Sequence, residues 1–129
     1  ESVAMNEDIH FEEILKELKE LGIKISIDDF GTEYSSLTRL KDMPIDRIKI
    51  AMPFIQGITA NEKDEAIVKT LITLAKSLNV KIIAEGVENE EQYKFLLQHH
   101  CDEIQGYYFY RAMCAADIEN MLDAYNGEI

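Results

Sequence analysis

The chain has 129 residues, 47% of them apolar, and a net charge of −12. That length carries one compact domain, and that apolar share builds a core and excludes general disorder. The charge excludes simple electrostatic binding to DNA, RNA or an anionic membrane surface, so an anionic substrate would need metal ions between itself and this protein.

The sequence from Glu1 to Asn6 reads as the tail of a strand or a loop. A helix follows, with Phe11, Ile14, Leu15, Leu18 and Leu21 on one face at helical spacing and Gly22 as its C-terminal cap. The first complete strand runs from Ile23 to Asp28. Ser35 or Ser36 caps a short helix carrying Leu37, Leu40 and Met43, closed by Pro44. Ile45 to Ala51 is the next strand, and Pro53 and Gly57 punctuate a connector. Asn61 opens a long helix whose inner face is Ile67, Leu71, Leu74, Ala75 and Leu78.

The third strand spans Val80 to Ala84 and runs into Glu85-Gly86-Val87-Glu88. Asn89 with Gln92 predicts a capping box, and the helix it starts packs Tyr93, Leu96 and Leu97. The fourth strand covers Glu103 to Phe109. A last helix runs from Ala115 to Tyr125, with Ile118, Met121, Leu122 and Tyr125 as its apolar stripe. Strand and helix alternate throughout, which predicts an α/β fold with a parallel sheet and right-handed crossovers.

No apolar run is long enough to span a membrane and none reads as a signal peptide, so no direct membrane contact is expected from this segment. Cys101 and Cys114 fit reduced thiols, which predicts a cytoplasmic location. The start at Glu1, without methionine, reads as a segment cut from a longer protein.

Strands buried on both faces read as continuous apolar runs, and these do not. Lys24, Ser26 and Asp28 share one face of the first strand, opposite Ile25 and Ile27. Arg47, Lys49 and Ala51 oppose Ile48 and Ile50; Lys81, Ile83 and Glu85 oppose Ile82 and Ala84; Glu103, Gln105 and Tyr107 oppose Ile104 and Gly106. With the apolar faces against helices, Asp28, Lys49, Glu85 and Gln105 fall near the carboxyl ends of neighbouring strands. That end is where α/β barrels build their sites. The alternative is a one-layer sheet with a solvated polar face. Four strands do not close a barrel, whose eight-stranded form takes about 250 residues. The open edges then call for the other half of a barrel or a second copy of the chain.

Asp28, Asp29 and Glu85 are hard oxygen donors suited to Mg²⁺, Mn²⁺ or Ca²⁺. Adjacent aspartates point to opposite sides of a regular strand, so both face one site only if the backbone turns between them, and Phe30-Gly31 favours such a turn. Two metals sharing a carboxylate suit phosphodiester hydrolysis, and Lys49 among carboxylates can orient a water or offset transition-state charge. Each residue also has a plainer reading. Either aspartate can cap the loop, Lys49 can be half of an internal ion pair, Glu85 and Glu88 can sit at a helix start, and Gln105 can satisfy a backbone group.

Four blocks carry a resemblance. They are Asp-Asp-Phe-Gly-Thr-x-Tyr-Ser-Ser-Leu from Asp28, Pro-Ile-Asp-Arg-Ile-Lys-Ile from Pro44, Ile-Ala-Glu-Gly-Val-Glu from Ile83 and Gln-Gly-Tyr-Tyr-Phe from Gln105. In this order they resemble the EAL-domain cyclic-di-GMP phosphodiesterases of bacteria, over nearly the whole chain. The resemblance implies the C-terminal half of a variant (β/α)₈ TIM-like barrel, a partial EAL-type domain over residues 1–129. It implies hydrolysis of one phosphodiester bond of cyclic-di-GMP to linear pGpG with Mg²⁺ or Mn²⁺, in one or two ions.

The resemblance also implies roles. Asp28 would be a metal ligand, with Asp29 at the same metal-and-water centre. Lys49 would hold the attacking water. Glu85 is similar to the glutamate assigned to metal or general-base work, and Gln105 to a glutamine beside it. Glu1 resembles the second glutamate of a Glu-x-Thr-Glu stretch that braces the loop after Asp29. Gly31, Thr32 and Ser35 in that loop, with Glu88, would support the substrate or the loop, which would also couple the site to a homodimer contact.

The departures are specific. The Glu-Ala-Leu motif and the N-terminal half with its metal ligands are absent from the sequence, so the chain alone is expected to be inactive. Glu33 stands where the family has glycine, Ala51 where it has aspartate, and Arg111-Ala112 where it has Lys-Pro. Two further readings therefore stand beside the enzyme: a degenerate module that binds cyclic-di-GMP or a protein partner without catalysis, and a structural half-barrel serving as an oligomerisation surface.

Overall fold

The structure, a computed structural model, describes residues 2–31 and 40–125; the side chains of residues 2–9 lie outside that description. The described elements are α1 (Ser2–Glu20), β1 (Ser26–Phe30), β2 (Arg47–Ile50), α2 (Met52–Gly57), α3 (Glu62–Ser77), β3 (Lys81–Glu85), α4 (Glu90–Gln98), β4 (Glu103–Gln105) and α5 (Ala115–Tyr125). The strands form one sheet in the order β1-β2-β3-β4, and every neighbouring pair is parallel.

The apolar strand positions make the core. Ile48, Ile50, Ile82 and Ala84 are buried on one face with Phe30, and Ile55, Ile58, Val68, Ile72, Ala75 and Leu96 cover them from the helices. Each fully buried isoleucine contributes on the order of 1.5–3 kcal/mol of transfer free energy. Helix α4 starts as the sequence predicts: Asn89 and Gln92 form a reciprocal capping box, and Gln92 is itself buried. Asn61 caps α3 by accepting from the Lys63 N–H at 3.0 Å.

Three helices end alike. Gly22, Asn79 and His100 have positive φ (78°, 56° and 60°). Each is followed by a residue whose N–H reaches back five positions: Ile23 to Leu18, Val80 to Ala75 and Cys101 to Leu96. This left-handed cap satisfies the last carbonyls and turns the chain toward the next strand. Two aspartates then join strand starts. Asp46, just ahead of β2, accepts from the Ile25 N–H at 2.8 Å, and Asp102, just ahead of β4, accepts from the Ile82 N–H at 3.0 Å.

Several boundaries differ from the sequence reading. Helix α1 begins at Ser2, because the opening segment holds no glycine or proline to break it. Strand β1 starts three residues later than expected, since Ile23 to Ile25 are used in leaving the helix cap. It continues through both aspartates to Phe30. Pro53 and Gly57 do not mark a plain connector: they lie in α2, where proline fits the first turn because its missing N–H has no intrahelical acceptor there. Strand β4 stops at Gln105, because the Phe109 N–H closes a turn onto the Gly106 carbonyl at 3.2 Å.

The helix faces also rotate. Helix α3 carries two overlapping apolar stripes, and the one with β-branched and small residues, Val68, Ile72 and Ala75, meets the sheet while Ile67 is exposed. In α4, Leu97 is exposed and Leu96 is buried. In α1 only Leu15 of the expected stripe is fully buried, and α5 has no buried residue. The predicted helix bearing Leu37 falls largely on residues 32–39, outside the described residues; Leu40 is buried against the core. No helix among the described residues is long and apolar enough to cross a membrane.

Asp46 gathers α1, β1 and β2. Its carboxylate takes Lys19 at 2.6 Å, Lys24 at 3.3 Å and the Ile25 N–H, and it is held well below the usual carboxylate range, first by Lys19 and then by that N–H. Asp46→Asn should therefore destabilise the chain by about 1–3 kcal/mol at neutral pH, read by urea unfolding. The folded carboxyl has the lower pKa, so its stabilisation is complete above about pH 4 and is lost as pH falls through the folded value; the gap between variant and wild type should close in acid.

Candidate active site at the carboxyl ends of the strands

Strand β2 presents Lys49 on the face away from the helices, between the buried Ile48 and Ile50. In register, Lys49 lies opposite Ile83 of β3, and Glu85 lies opposite Gln105 of β4. On the other side, β1 pairs Ile27 with Ile48 and Phe30 with Ile50. Two residues, Asp28 and Asp29, therefore stand against the single Lys49.

This is a β-bulge, a break in the strand's regular alternation that falls between the adjacent aspartates and Lys49. Asp29 takes φ of 49°, a left-handed conformation that aspartate tolerates better than most residues. The bulge restores the alternation afterwards, so that Phe30 returns to the core. Asp28 is fixed by its own neighbour, accepting from the Asp29 N–H at 2.9 Å. Gly31 follows at φ of 100°, where a Cβ would strain the backbone and, at 2.9 Å from the Phe54 ring, force that ring to move.

The Lys49 ammonium joins the two flanking strands. It lies 2.6 Å from Glu85 and 3.1 Å from Asp28. The lysine and Glu85 are mostly shielded, with side chains 22% and 18% exposed, whereas Asp28 is 64% exposed. Glu85 is the first cause that raises the Lys49 pKa, with Asp28 adding to it against the cost of burial. The Asp28 pKa is lowered, first by Lys49 and next by the Asp29 N–H. Asp28 and Lys49 are thus both held in their charged forms at neutral pH.

Of the site residues predicted from sequence, Asp28, Lys49 and Glu85 are in mutual contact through the lysine, with Asp29 and Gly31 beside them and Gln105 in register with Glu85. Glu88 is exposed in the loop ahead of α4, where its N–H donates to Gln92 Oε1 at 2.8 Å. Glu1, Thr32, Ser35 and Glu33 lie outside the described residues.

Two features escaped the sequence reading. Arg47 reaches over β3 to Glu103 at 3.3 Å, a second ion pair on the same polar face one tier below Lys49. The alternation already put both residues on that face, and their pairing was the available signal. Gly106 lies so close to the Val87 backbone that a Cβ would overlap it. That approach lets the Val87 N–H reach the Gln105 carbonyl and the Tyr108 N–H reach the Val87 carbonyl, at 3.2 and 2.9 Å.

The donor chemistry fits a hard divalent cation in kind, since Asp28, Asp29 and Glu85 offer only carboxylate oxygens. No three His, Cys, Asp or Glu side chains among the described residues converge closely enough to hold an ion by themselves. The cation placed between Asp28 and Glu85 here is the lysine.

Comparison with known proteins agrees with this architecture. The family model described as "EAL domain" matches residues 1–112. The cyclic di-GMP phosphodiesterase NbdA of Pseudomonas aeruginosa is 45% identical over 112 residues, 87% of this chain and 14% of that protein. The solved structure of the P. aeruginosa MucR phosphodiesterase in complex with c-di-GMP superposes with a TM-score of 0.82 at 43% identity, covering 89% of this chain and 47% of that one. The manganese and cyclic-di-GMP complex of BlrP1 from Klebsiella pneumoniae gives 0.72 at 34% identity, covering 78% of this chain and 26% of that one. The chain thus spans about half of the solved MucR domain and a small part of the curated relative it matches. With four parallel strands, helices on their apolar face and charged groups at their carboxyl ends, it forms part of a TIM-barrel domain and belongs to the EAL domain family.

Proposed function

We propose that the chain contributes the C-terminal half of a metal-dependent phosphodiesterase site that hydrolyses cyclic-di-GMP to linear pGpG in bacterial second-messenger signalling. The observation that carries this reading is the Lys49 ammonium between the carboxylates of Asp28 and Glu85, at the carboxyl end of a parallel sheet in an EAL-family chain.

The residues divide the work by their chemistry. Asp28, Asp29 and Glu85 would supply oxygen donors for Mg²⁺ or Mn²⁺, a reading supported by the bulge that sets both aspartates against Lys49 in the strand register. A bound divalent ion supplies Lewis acidity toward the phosphate and lowers the pKa of water. Lys49 stays protonated, so it orients the attacking water and offsets charge on the phosphorane-like transition state. Glu85, within hydrogen-bond reach of that ammonium, accepts the proton of the water. Gln105 stands next to Glu85 as a neutral positioning group. Glu1, Gly31, Thr32, Ser35 and Glu88 brace the loop after β1 and the substrate. The N-terminal half of the barrel, or a second copy of the chain, covers the open polar face, and the domain works in the cytoplasm.

A second reading rests on Ala51. It is fully buried and stands at the N-cap of α2 without a side-chain cap, where the resemblance calls for aspartate. This favours a module that binds cyclic-di-GMP without cleaving it.

Turnover separates the two. In an EAL domain that contains this segment complete, Asp28→Asn and Lys49→Ala should each lower Mn²⁺-supported cyclic-di-GMP hydrolysis by about 100-fold or more while circular dichroism stays unchanged. Hydrolysis undiminished in both would overturn the enzymatic reading, and calorimetric binding without hydrolysis in the parent would select the second.

The charge coupling has its own readout in the 129-residue chain. Lys49→Ala removes the first cause of the Asp28 shift, so the Asp28 carboxyl should titrate at higher pH in the variant than in wild type, followed by its side-chain ¹³C resonance.

A further inference from the structure

Met52 is the first residue of α2, and its side chain crosses the backbone at the end of β3. A Cβ at Gly86 would overlap the Met52 Cγ and lie 3.3 Å from both its Cβ and its Cε. The sulfur bonds Cγ to Cε, so the thioether itself lies against Gly86. That glycine has φ of 78° and directly follows Glu85, whose carboxylate holds Lys49 at 2.6 Å.

Both sides of this contact are anchored. Ala51, ahead of Met52, is fully buried, and its carbonyl accepts from the Phe54 N–H at 3.1 Å; Pro53 behind it fixes the backbone. Beyond Gly86, Val87 is fully buried and its N–H donates to the Gln105 carbonyl at 3.2 Å. A change in the thioether is therefore taken up by the Met52 side chain or by the Glu85–Gly86 link. The same side chain faces water. At 46% exposure Met52 is the exposed methionine among the described side chains, since Met43, Met113 and Met121 are half-buried.

We propose that Met52 is a modification site, where a hydroperoxide converts the thioether to a sulfoxide and so shifts the Glu85 end of β3. The O–O bond breaks and an S–O bond forms. The sulfur gives up two electrons, and the reduced peroxide leaves as water or an alcohol. The product is polar and chiral at sulfur, with two epimers. An oxygen directed at Gly86 enters space that already excludes a Cβ, and one directed outward draws the side chain into water. In both epimers the contact that backs Gly86 is lost. The consequence for hydrolysis rests on the phosphodiesterase reading above; the modification and its effect on Gly86 do not.

The 129-residue chain, labelled with ¹³C at the methionine methyls and ¹⁵N at the amides, is treated with hydrogen peroxide and followed by NMR. The Met52 methyl should convert to its sulfoxide form severalfold faster than those of Met43, Met113 and Met121, and the Glu85 and Gly86 amide resonances should move at the same rate. Dithiothreitol alone, which reverses disulfide or sulfenic oxidation at Cys101 or Cys114, should leave these shifts in place. Methionine sulfoxide reductases A and B, one for each epimer, should reverse them. In Met52→Leu, folded by circular dichroism, the two amides should not respond to peroxide. In an EAL domain that contains this segment complete, peroxide should lower Mn²⁺-supported cyclic-di-GMP hydrolysis by about tenfold, and Met52→Leu should keep its own rate. Equal oxidation rates at the other methionines, an oxidised Met52 with unmoved Glu85 and Gly86, or shifts that persist in Met52→Leu would each overturn the proposal. Hydrolysis that survives Met52 oxidation would overturn its effect on the site. A parent domain that never hydrolyses cyclic-di-GMP removes the phosphodiesterase reading alone, and the amide shifts still decide Met52.

Discussion

A single ammonium joins the carboxyl ends of three neighbouring strands. Lys49 sits on the central strand of the β1-β2-β3 trio, with Asp28 on one side and Glu85 on the other. Without it, two carboxylates would face each other at the rim of a chain that already carries a net charge of −12. Like charges that close raise one another's pKa or push the strand ends apart. The lysine removes the conflict locally, and it can do so only because every strand turns its polar residues to the same side. That common orientation in turn depends on Ile48, Ile50, Ile82 and Ala84 being held against the helices on the other side. Core packing and site electrostatics are two faces of one alternation.

Among the described strands, the bulge at Asp28–Asp29 is where the alternation is broken, and the break serves both faces. Continued strictly, a period of two would have put Asp29 toward the helices and Phe30 toward the site. The extra residue keeps both aspartates opposite Lys49 and delivers Phe30 to the core, where it is buried. The cost is a positive φ at Asp29, of order 1 kcal/mol or more for a non-glycine residue. Gly31, next in line, bears the second positive φ and lies against Phe54 and Leu71 of α2 and α3. The strain is therefore concentrated where the strand leaves the sheet, beside the carboxylates.

Much of this was legible in the sequence. Alternation in the second and third strands identified which residues face the helices, and Asn89 with Gln92 announced their capping box. The need for a backbone turn between the aspartates could be stated, but its form could not: a bulge depends on the register of β1 against β2, and register is a property of two strands. The inner face of α3 was legible only in part: Ala75 is buried and Leu71, Leu74 and Leu78 pack against the core, but Val68 and Ile72 replace Ile67 as its fully buried members. Val68 and Ile72 lie beside the leucine stripe at helical spacing, and only the approach of helix to sheet decides which residues are fully covered. The same limit hid Asp46 and Asp102. Each looks like an ordinary residue before a strand, until its neighbour's first N–H is brought within reach.

The repetition of these joints explains why half of a barrel wall holds its shape around a site at its open rim. Three of the described helices lead into the next strand through a left-handed cap at Gly22, Asn79 or His100, and twice an aspartate just ahead of a strand ties the preceding strand's N-terminal end. These links lie at the amino ends of the strands, opposite the site. With that end fixed by backbone hydrogen bonds and the middle by apolar packing, the carboxyl ends are free to be chemically expensive. The Lys49 ion pairs and the bulge, with its positive φ at Asp29, lie there. The Gly106–Val87 contact is the exception that completes the pattern, since it fixes the last turn of the rim without using a side chain of the site.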